Sequence, residues 1–123
     1  MKIFSIHHSS VVVGDLKIAL EFYQDILGLA SSNQRPDLGY PGAWLELGEQ
    51  QIHLLQLPTV DPVTGRPEHP GRDRHLAVSL TGLDELRARL TQAGIPYASS
   101  RSGRKALFCR DPFGNGLEFI EVS

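Results

Sequence analysis

One spacing of apolar residues occurs twice along the chain. In each case the apolar positions fall at i, i+3, i+7 and i+10, which predicts one buried face of an amphipathic helix. The first set is Leu16, Ala19, Tyr23 and Ile26, and the second, 67 residues later, is Leu83, Leu86, Leu90 and Ala93. A fixed internal offset indicates a duplicated unit. We therefore expect two copies of one structural motif.

A short apolar run precedes each helix and has the composition of a β-strand. Because alternate residues of a strand share a face, His8 and Ser10 lie on one face of the first run. His75 and Ala77 hold the equivalent positions in the second run. The larger apolar residues of the opposite faces should pack under the helices. We therefore expect His8 and His75 on the open surface, with His7 pointing the other way.

Polar residues and glycines mark the ends of both helices. Asp15 is a candidate N-cap of the first helix and Thr81 of the second. Gly28 and Gly94 suit the left-handed C-terminal cap. Three short β-like segments are expected after each helix. They cover residues 30–35, 43–48 and 51–57 in the first half and 97–102, 106–110 and 116–122 in the second.

The predicted fold class is α+β, with two tandem βαβββ modules that form a cupped mixed β-sheet carrying the helices on its outer face. At 123 residues the chain is expected to be one domain. The predicted modules are residues 1–58 and 74–123, joined by a linker at 59–73 that is rich in Pro, Gly and charge. A module of about 60 residues buries little surface alone, so the two halves should pair.

Charge and composition exclude several classes of function. The formal net charge is −2, with 12 basic and 14 acidic residues, which argues against a nucleic-acid partner. No apolar run reaches the roughly 20 residues of a membrane-spanning helix, and the N-terminus lacks the apolar stretch of a secretory signal. Cys109 is the single cysteine, which suits a reducing compartment. We expect a soluble cytoplasmic protein with Cys109 in its core.

Polar residues with metal-binding chemistry occur at equivalent places in the two halves. His53 and Glu118 lie 65 residues apart on the last predicted strand of each half, close to the repeat offset. A pseudo-twofold axis would bring them together with His8 and His75, and three imidazoles with a carboxylate suit a first-row divalent metal. Alone, each histidine would more often be structural, and Glu118 would be a solvated strand residue. The joint placement favours a metal site, whereas His69 in the linker is interpreted as a loop residue.

The segments "HSSVVVGDLKIALEFYQDILGL", "RHLAVSL" and "FCRDPFGNGLEFIEV" resemble the vicinal oxygen chelate superfamily. This superfamily includes glyoxalase I, extradiol dioxygenases, methylmalonyl-CoA epimerase, fosfomycin-resistance transferases and bleomycin-resistance proteins. The resemblance implies paired βαβββ modules around a metal, with His8, His53, His75 and Glu118 where the ligands come from. It also implies a Zn, Ni, Co, Fe or Mn ion, a small-molecule substrate and a homodimer, with neither nucleic acid nor membrane as partner.

Three functions are compatible with the resemblance. The first is a glyoxalase I-like lyase or isomerase that chelates two vicinal oxygens and stabilises an enediolate, with Glu118 as the catalytic base. Glyoxalase I of the usual type has a glutamate at the place of His53, so this residue departs from the pattern of that enzyme. The second is an extradiol-type dioxygenase that uses His8, His75 and Glu118. The third is a resistance protein that sequesters a drug or metabolite without turnover.

Basic and aromatic side chains in two loops are candidates for contacts with the substrate. Arg101 and Arg104 flank a glycine in "SSRSGRK" and could bind an anionic group, although a solvated basic loop would have the same composition. Arg35 and Tyr40 lie in a second loop, as cavity-wall residues or as loop packing. Trp44 follows them and is expected in the core.

Overall fold

Two mixed β-sheets, one in each half of the chain, form the framework of the computed structural model, which describes residues 1–59 and 61–122. The chain divides into two compact units, Met1–Val60 and Asp61–Ser123. The first unit contains β1 (His8–Val13), α1 (Leu16–Leu20), a π-helical segment (Glu21–Ile26), β2 (Gly42–Leu47) and β3 (Gln50–Gln56). The second contains a 3-10 helix (Pro70–Arg72), β4 (His75–Leu80), α2 (Leu83–Gln92), β5 (Tyr97–Ser99), β6 (Ala106–Arg110) and β7 (Gly116–Glu121).

Strand order shows that the two units are copies of one motif. The first sheet has the order β1-β3-β2 and the second the order β4-β7-β6-β5. In each unit the first strand pairs in parallel with the last, and the last strand pairs in antiparallel with the strand before it. The predicted duplication and α+β class are confirmed, and each copy forms its own sheet.

The predicted strand at residues 30–35 is wrong, because this segment makes only the isolated bridge between Ser31 and Leu45. Hydrogen bonds from side chains to nearby backbone groups explain why no strand forms here. The hydroxyl of Ser32 accepts a hydrogen bond from the backbone N–H of Gln34, and the carboxylate of Asp37 accepts one from Gly39. Such local side-chain bonds compete with a β-ladder for the backbone. The first sheet therefore has three strands where the second has four.

Both helices are capped from the last strand of their own sheet. The side-chain oxygen of Gln56 accepts a hydrogen bond from the backbone N–H of Leu16 at 2.7 Å, and that of Glu121 accepts one from Leu83 at 3.1 Å. Asp15 also caps α1, as predicted, by accepting from the N–H of Ile18. Thr81 does not cap α2, so that prediction is wrong. The N-cap residue is Gly82, whose backbone is left-handed with a φ of +88°, a conformation that glycine adopts without a steric penalty.

The predicted apolar faces of the helices are buried at their centres, whereas Leu16 and Ile26 at the ends of the first stripe are only half-buried. Ala19 and Tyr23 are fully buried, and so is Phe22, because the helix continues after Leu20 as a π-helical segment that turns adjacent residues inward. In α2 the leucine stripe is buried, but Ala93 is exposed beyond its end.

Gly28 and Gly94 have φ values of +77° and +71°, as the C-terminal caps require. No helix in the described part of the chain is long and apolar enough to cross a bilayer.

Cys109 lies in the core on β6, and we expect its thiol to resist modification in the folded protein. Burial, with a smaller contribution from the Asp111 charge, raises the pKa of Cys109 from 9.0 to about 12. A shift of three pKa units lowers the reactive thiolate fraction about a thousandfold. Labelling by dithiobis(nitrobenzoate) at mildly alkaline pH should therefore be very slow until denaturant is added. Equal labelling rates with and without denaturant would contradict the burial of this thiol.

Candidate metal and substrate site

In the second unit, His75 and Glu118 lie side by side on neighbouring parallel strands. His75 is in register with Gly116, so it is a diagonal neighbour of Glu118 on the same face of the sheet. The separation of His75 Nε2 and Glu118 Oε1 is 3.2 Å. Gly116 is required here, because an added Cβ would lie 2.7 Å from the carbonyl oxygen of Arg74. The strand register therefore brings an imidazole and a carboxylate together.

The other ring nitrogen of His75 sets the chemistry of this pair. Nδ1–H donates a hydrogen bond to the backbone carbonyl of Asp73 at 2.8 Å. In the neutral ring, the lone pair of Nε2 then faces the carboxylate of Glu118, and two lone pairs in contact repel each other. A proton or a metal ion between them removes that repulsion. A histidine oriented by a backbone carbonyl in this way is typical of metal ligands.

Arg104 occupies the second oxygen of the Glu118 carboxylate. Its Nη2 donates to Glu118 Oε2 at 2.8 Å, while the side chain of Glu118 is only 6% exposed and that of Arg104 is 54% exposed. The carboxylate therefore has an imidazole on one oxygen and a guanidinium on the other. Sequence reasoning assigned Arg104 to the substrate, whereas the structure pairs it with the predicted catalytic carboxylate.

The turn before β7 aligns Glu118 with its strand neighbours. Asp111 is buried, and its Oδ1 accepts hydrogen bonds from the backbone N–H groups of Phe113 and Asn115 at 2.8 and 2.9 Å. Its Oδ2 accepts from the side-chain amide of Asn115 at 2.8 Å. Gly114 has a φ of +86°, which completes the tight reversal. The Asp-Pro-Phe-Gly-Asn segment thus connects β6 to β7 in a single register.

In the first unit, His8 and His53 are stacked ring on ring. Their centroids are 3.9 Å apart with an interplanar angle of 17°, and Trp44 covers the other face of His53 at 4.5 Å and 7°. His53 Nε2 donates to the side-chain oxygen of Gln51 at 2.8 Å. Trp44 was expected in the core, and this prediction is wrong. It lies on the face of His53, because the two residues are directly paired in the antiparallel ladder.

His7 also departs from expectation. Its Nδ1 lies 2.8 Å from Nδ1 of His8, so its ring does not point away from the site. Strand alternation does not apply to His7, because β1 begins at His8. Burial lowers the pKa of His53, and the neighbouring His8, His7 and Arg35 lower it further. His53 is therefore neutral near pH 7, which is the form that binds metals.

The two pairs differ in how well they suit a metal ion. Ligand bonds of about 2.0–2.2 Å at a right angle place two donor atoms about 3 Å apart. The 3.2 Å separation of His75 Nε2 and Glu118 Oε1 fits that arrangement. The stacked rings of His8 and His53 have nearly parallel planes and would have to rotate to direct their lone pairs at one ion. Within each unit, the described residues include no group of three or more His, Cys, Asp or Glu side chains able to hold a metal. Convergence of all four residues stays a prediction.

Several contacts at these sites could not be predicted from the sequence. Arg104 and Arg101 belong to one exposed basic loop, and composition does not tell which of them reaches a carboxylate. Arg101 instead lines a cavity of the second unit. Arg35 donates to the carbonyl of Tyr40 at 2.8 Å, which supports loop packing for these two residues. His69 is more than a loop residue, because its ring packs against Phe108 at 4.8 Å.

Comparison with known proteins is informative about the family. The sequence model of the Glyoxalase/Bleomycin resistance protein/Dioxygenase superfamily matches residues 5–119. Lactoylglutathione lyase of Haemophilus influenzae is 32% identical over 130 residues, covering 93% of this chain and 90% of that protein. Glyoxylase I 4 of Arabidopsis thaliana is 27% identical over 119 residues, covering 93% and 68%. The crystal structure of a protein described as a glyoxalase family protein from Bacillus anthracis superposes with a TM-score of 0.80 at 26% identity, covering 100% of this chain and 98% of that one.

Proposed function

Since the chain belongs to the Glyoxalase/Bleomycin resistance protein/Dioxygenase superfamily, we propose that it is a divalent-metal-dependent enzyme of the glyoxalase I-like type. Its substrate would be a small molecule with two vicinal oxygens, and its reaction that of a lyase or isomerase. The observation that carries the proposal is the His75–Glu118 pair, in which a nitrogen oriented by the Asp73 carbonyl faces a buried carboxylate. Similarity to a lactoylglutathione lyase at 32% identity adds support.

In this proposal, His8, His53, His75 and Glu118 hold the ion, which is Zn, Ni, Co, Fe or Mn. When bound, such an ion supplies Lewis-acid chemistry that polarises neighbouring substrate oxygens and stabilises an enediolate. The donor chemistry fits, because neutral imidazoles and a carboxylate are the ligands that these metals prefer. A homodimer in the cytoplasm is part of the same proposal.

Glu118 is the proposed proton carrier. A carboxylate beside the reacting carbons can take a proton from one carbon and return it to its neighbour, which is general base and then general acid catalysis. Each carboxylate oxygen has two acceptor lone pairs, so Glu118 Oε2 keeps acceptor capacity while Arg104 is bonded to it. Arg104 is a positioning residue in this scheme, since it limits the rotation of the carboxylate.

A glyoxalase assay tests this proposal directly. Protein stripped with a chelator should show no conversion of the hemithioacetal of methylglyoxal and glutathione to lactoylglutathione, and Ni²⁺, Zn²⁺, Co²⁺ or Mn²⁺ should restore it. Metal content of the protein purified without added metal should be measured in parallel. Absence of turnover with every ion, despite stoichiometric metal binding, would reject this reaction.

One observation favours the extradiol-type dioxygenase as the second candidate. His53 is covered on both faces and bonded to Gln51, so it is the residue least free to reach an ion. Without it, the proposed ligands would be His8, His75 and Glu118, a two-histidine, one-carboxylate set of the kind that suits non-haem Fe²⁺. Ring cleavage of a catechol panel with Fe²⁺ under oxygen, alongside a null glyoxalase assay, would select this function.

Substitution of Arg104 tests the role of the guanidinium at Glu118. We expect Arg104→Gln to tighten binding of Zn²⁺ or Ni²⁺ up to about tenfold, because a fixed positive charge beside the carboxylate competes with an incoming cation. Isothermal calorimetry on chelator-treated protein measures this affinity. Arg101→Gln, in the same loop but without a bond to Glu118, is the matched control and should leave it unchanged. Weaker metal binding in Arg104→Gln alone would contradict the competition.

A further inference from the structure

The second unit contains a cavity of about 910 Å³, which we call the linker cavity. Its size lies within the roughly 300–1,000 Å³ range of small-molecule sites. Three segments line it, together with Arg101: residues 67–70 and 72 of the predicted linker, residues 94–98 at β5, and residues 108 and 110–112 at the end of β6. Neither His75 nor Glu118 lines it. The linker cavity therefore lies outside the site described above.

His69 attaches the linker to the sheet and forms one wall. Its Nδ1 accepts a hydrogen bond from the backbone N–H of Gly71 at 3.0 Å, so the proton is on Nε2, which donates to the carbonyl of Ser99 at 3.3 Å. The ring packs against Phe108 at 4.8 Å. Gly71 permits this close approach, because an added Cβ would lie 2.9 Å from the Phe108 ring. The wall is a built structure with its polar atoms satisfied.

A network of charged side chains holds the linker part of this wall to β6. Asp73 accepts hydrogen bonds from Arg66 at 2.7 Å and from Arg110 at 2.8 Å. Arg110 also donates to the carbonyl of Pro67 at 2.6 Å. The charge of Arg110 is therefore neutralised within the wall, and this residue shapes the cavity without offering a charge to a ligand.

Two other arginines at the linker cavity have guanidinium groups that are not paired with a carboxylate in the described part of the chain. Arg72 and Arg101 both line it and are exposed, and neither makes an ion pair within residues 1–59 and 61–122. The acidic residues at the cavity are Glu68, which is exposed, and Asp111, whose oxygens are bonded within the β6–β7 turn. The charges left at the cavity are therefore two guanidinium groups and the single carboxylate of Glu68, which is a net positive charge.

The remaining lining is apolar and partly aromatic. Phe108 is 6% exposed, and Tyr97, Ile95 and the prolines at 67, 96 and 112 complete the surface. Flat apolar walls and two free guanidinium groups suit a ligand with a planar apolar body and a negatively charged group. We propose that the linker cavity binds an aromatic carboxylate, with the ring against Phe108 and the carboxylate on Arg72 and Arg101.

The position of Phe108 relates this cavity to the His75–Glu118 pair. Its ring contacts His69 in the cavity wall and lies 5.5 Å from the ring of His75. A ligand in the linker cavity would therefore be separated from the pair by one aromatic ring. Binding there requires no metal ion, so the inference stands or fails independently of the glyoxalase I-like reaction.

Binding of 1-naphthoate to the chelator-treated full chain tests the inference, with neutral 1-naphthalenemethanol as the matched probe. Intrinsic fluorescence and calorimetry give the affinities. We expect naphthoate to bind more tightly than the alcohol, and Arg72→Gln/Arg101→Gln to weaken naphthoate about tenfold or more without affecting the alcohol. The charge-matched control is Arg87→Gln/Arg89→Gln on α2, whose arginines pair with Asp84 and Glu85.

A second variant tests the location, because the arginine substitutions probe charge only. Ala98 lines the linker cavity from β5, and Ala98→Leu should weaken both probes by filling space, with circular dichroism verifying that the variant is folded. Four results would overturn the proposal. Three of them are no naphthoate binding, equal affinity for both probes, and equal loss in the cavity and α2 double variants. Undiminished binding in folded Ala98→Leu would also overturn it.

Discussion

Replacing Glu118 by glutamine is expected to lower kcat of the metal-loaded protein by at least about a hundredfold. The amide keeps the shape of the side chain but cannot accept a proton at neutral pH. It also removes the negative charge that faces His75 Nε2 and Arg104 Nη2 at 3.2 and 2.8 Å. Because one negatively charged donor is lost, divalent-metal affinity should fall as well. Lactoylglutathione formation and calorimetric metal titration measure the two effects.

Glu49→Gln is the matched control for this experiment. Glu49 lies exposed in the turn between β2 and β3, so the same change of charge there should leave both activity and metal affinity unaltered. Thermal unfolding of both variants separates a folding defect from a chemical one. If Glu118→Gln retained wild-type kcat and metal affinity, Glu118 would be neither base nor ligand, and the proposed mechanism would be wrong.

Replacing Asp111 by alanine is expected to cost about 2–4 kcal/mol of unfolding free energy, the second large effect. Asp111 is 4% exposed, and its removal leaves the backbone N–H groups of Phe113 and Asn115 without their acceptor. Unsatisfied buried donors cost about 1–3 kcal/mol each. The loss also loosens the register of β7, so the distance between His75 and Glu118 should become variable. Urea unfolding followed by circular dichroism measures the stability change.

Asp37→Ala provides the comparison in the first unit. Asp37 makes the same kind of local bond, from its Oδ1 to the backbone N–H of Gly39 at 2.9 Å, but it is exposed. Water can replace the lost acceptor there, so we expect a change below about 1 kcal/mol. Similar losses in both variants would show that the burial of Asp111 contributes little, contrary to the expectation.

The equivalence of the two halves could be predicted from sequence because it depends on spacing alone. Strand register places Ser10 opposite His53 and Ala77 opposite Glu118, which are equivalent pairs in the two sheets. The offset is 67 residues for the first strands and 65 for the last. The two offsets differ by two residues, and a shift of two residues along a strand keeps each side chain on the same face. Spacing alone was therefore enough to assign the polar residues to equivalent positions.

Contacts between distant segments could not be predicted in the same way. The basic loop contains Arg101 and Arg104 three residues apart, and only the folded backbone decides that Arg104 reaches Glu118. Trp44 was expected in the core because it is a large aromatic residue, but antiparallel pairing with His53 puts it on the polar face. The polar 30–35 segment failed as a strand because local side-chain bonds take its backbone groups.

Periodicity and motif spacing by themselves determined the duplication, the α+β class, the family resemblance and the identity of the candidate polar residues. These properties follow from local patterns, since apolar spacing selects helix or strand and turn residues select where strands end. Tertiary structure alone decided the partners of those residues. It placed His75 Nε2 beside Glu118 Oε1, paired Glu118 with Arg104, and folded the linker into a cavity wall through His69. Each of these contacts depends on distances of a few ångströms between segments far apart in sequence, which no local pattern encodes.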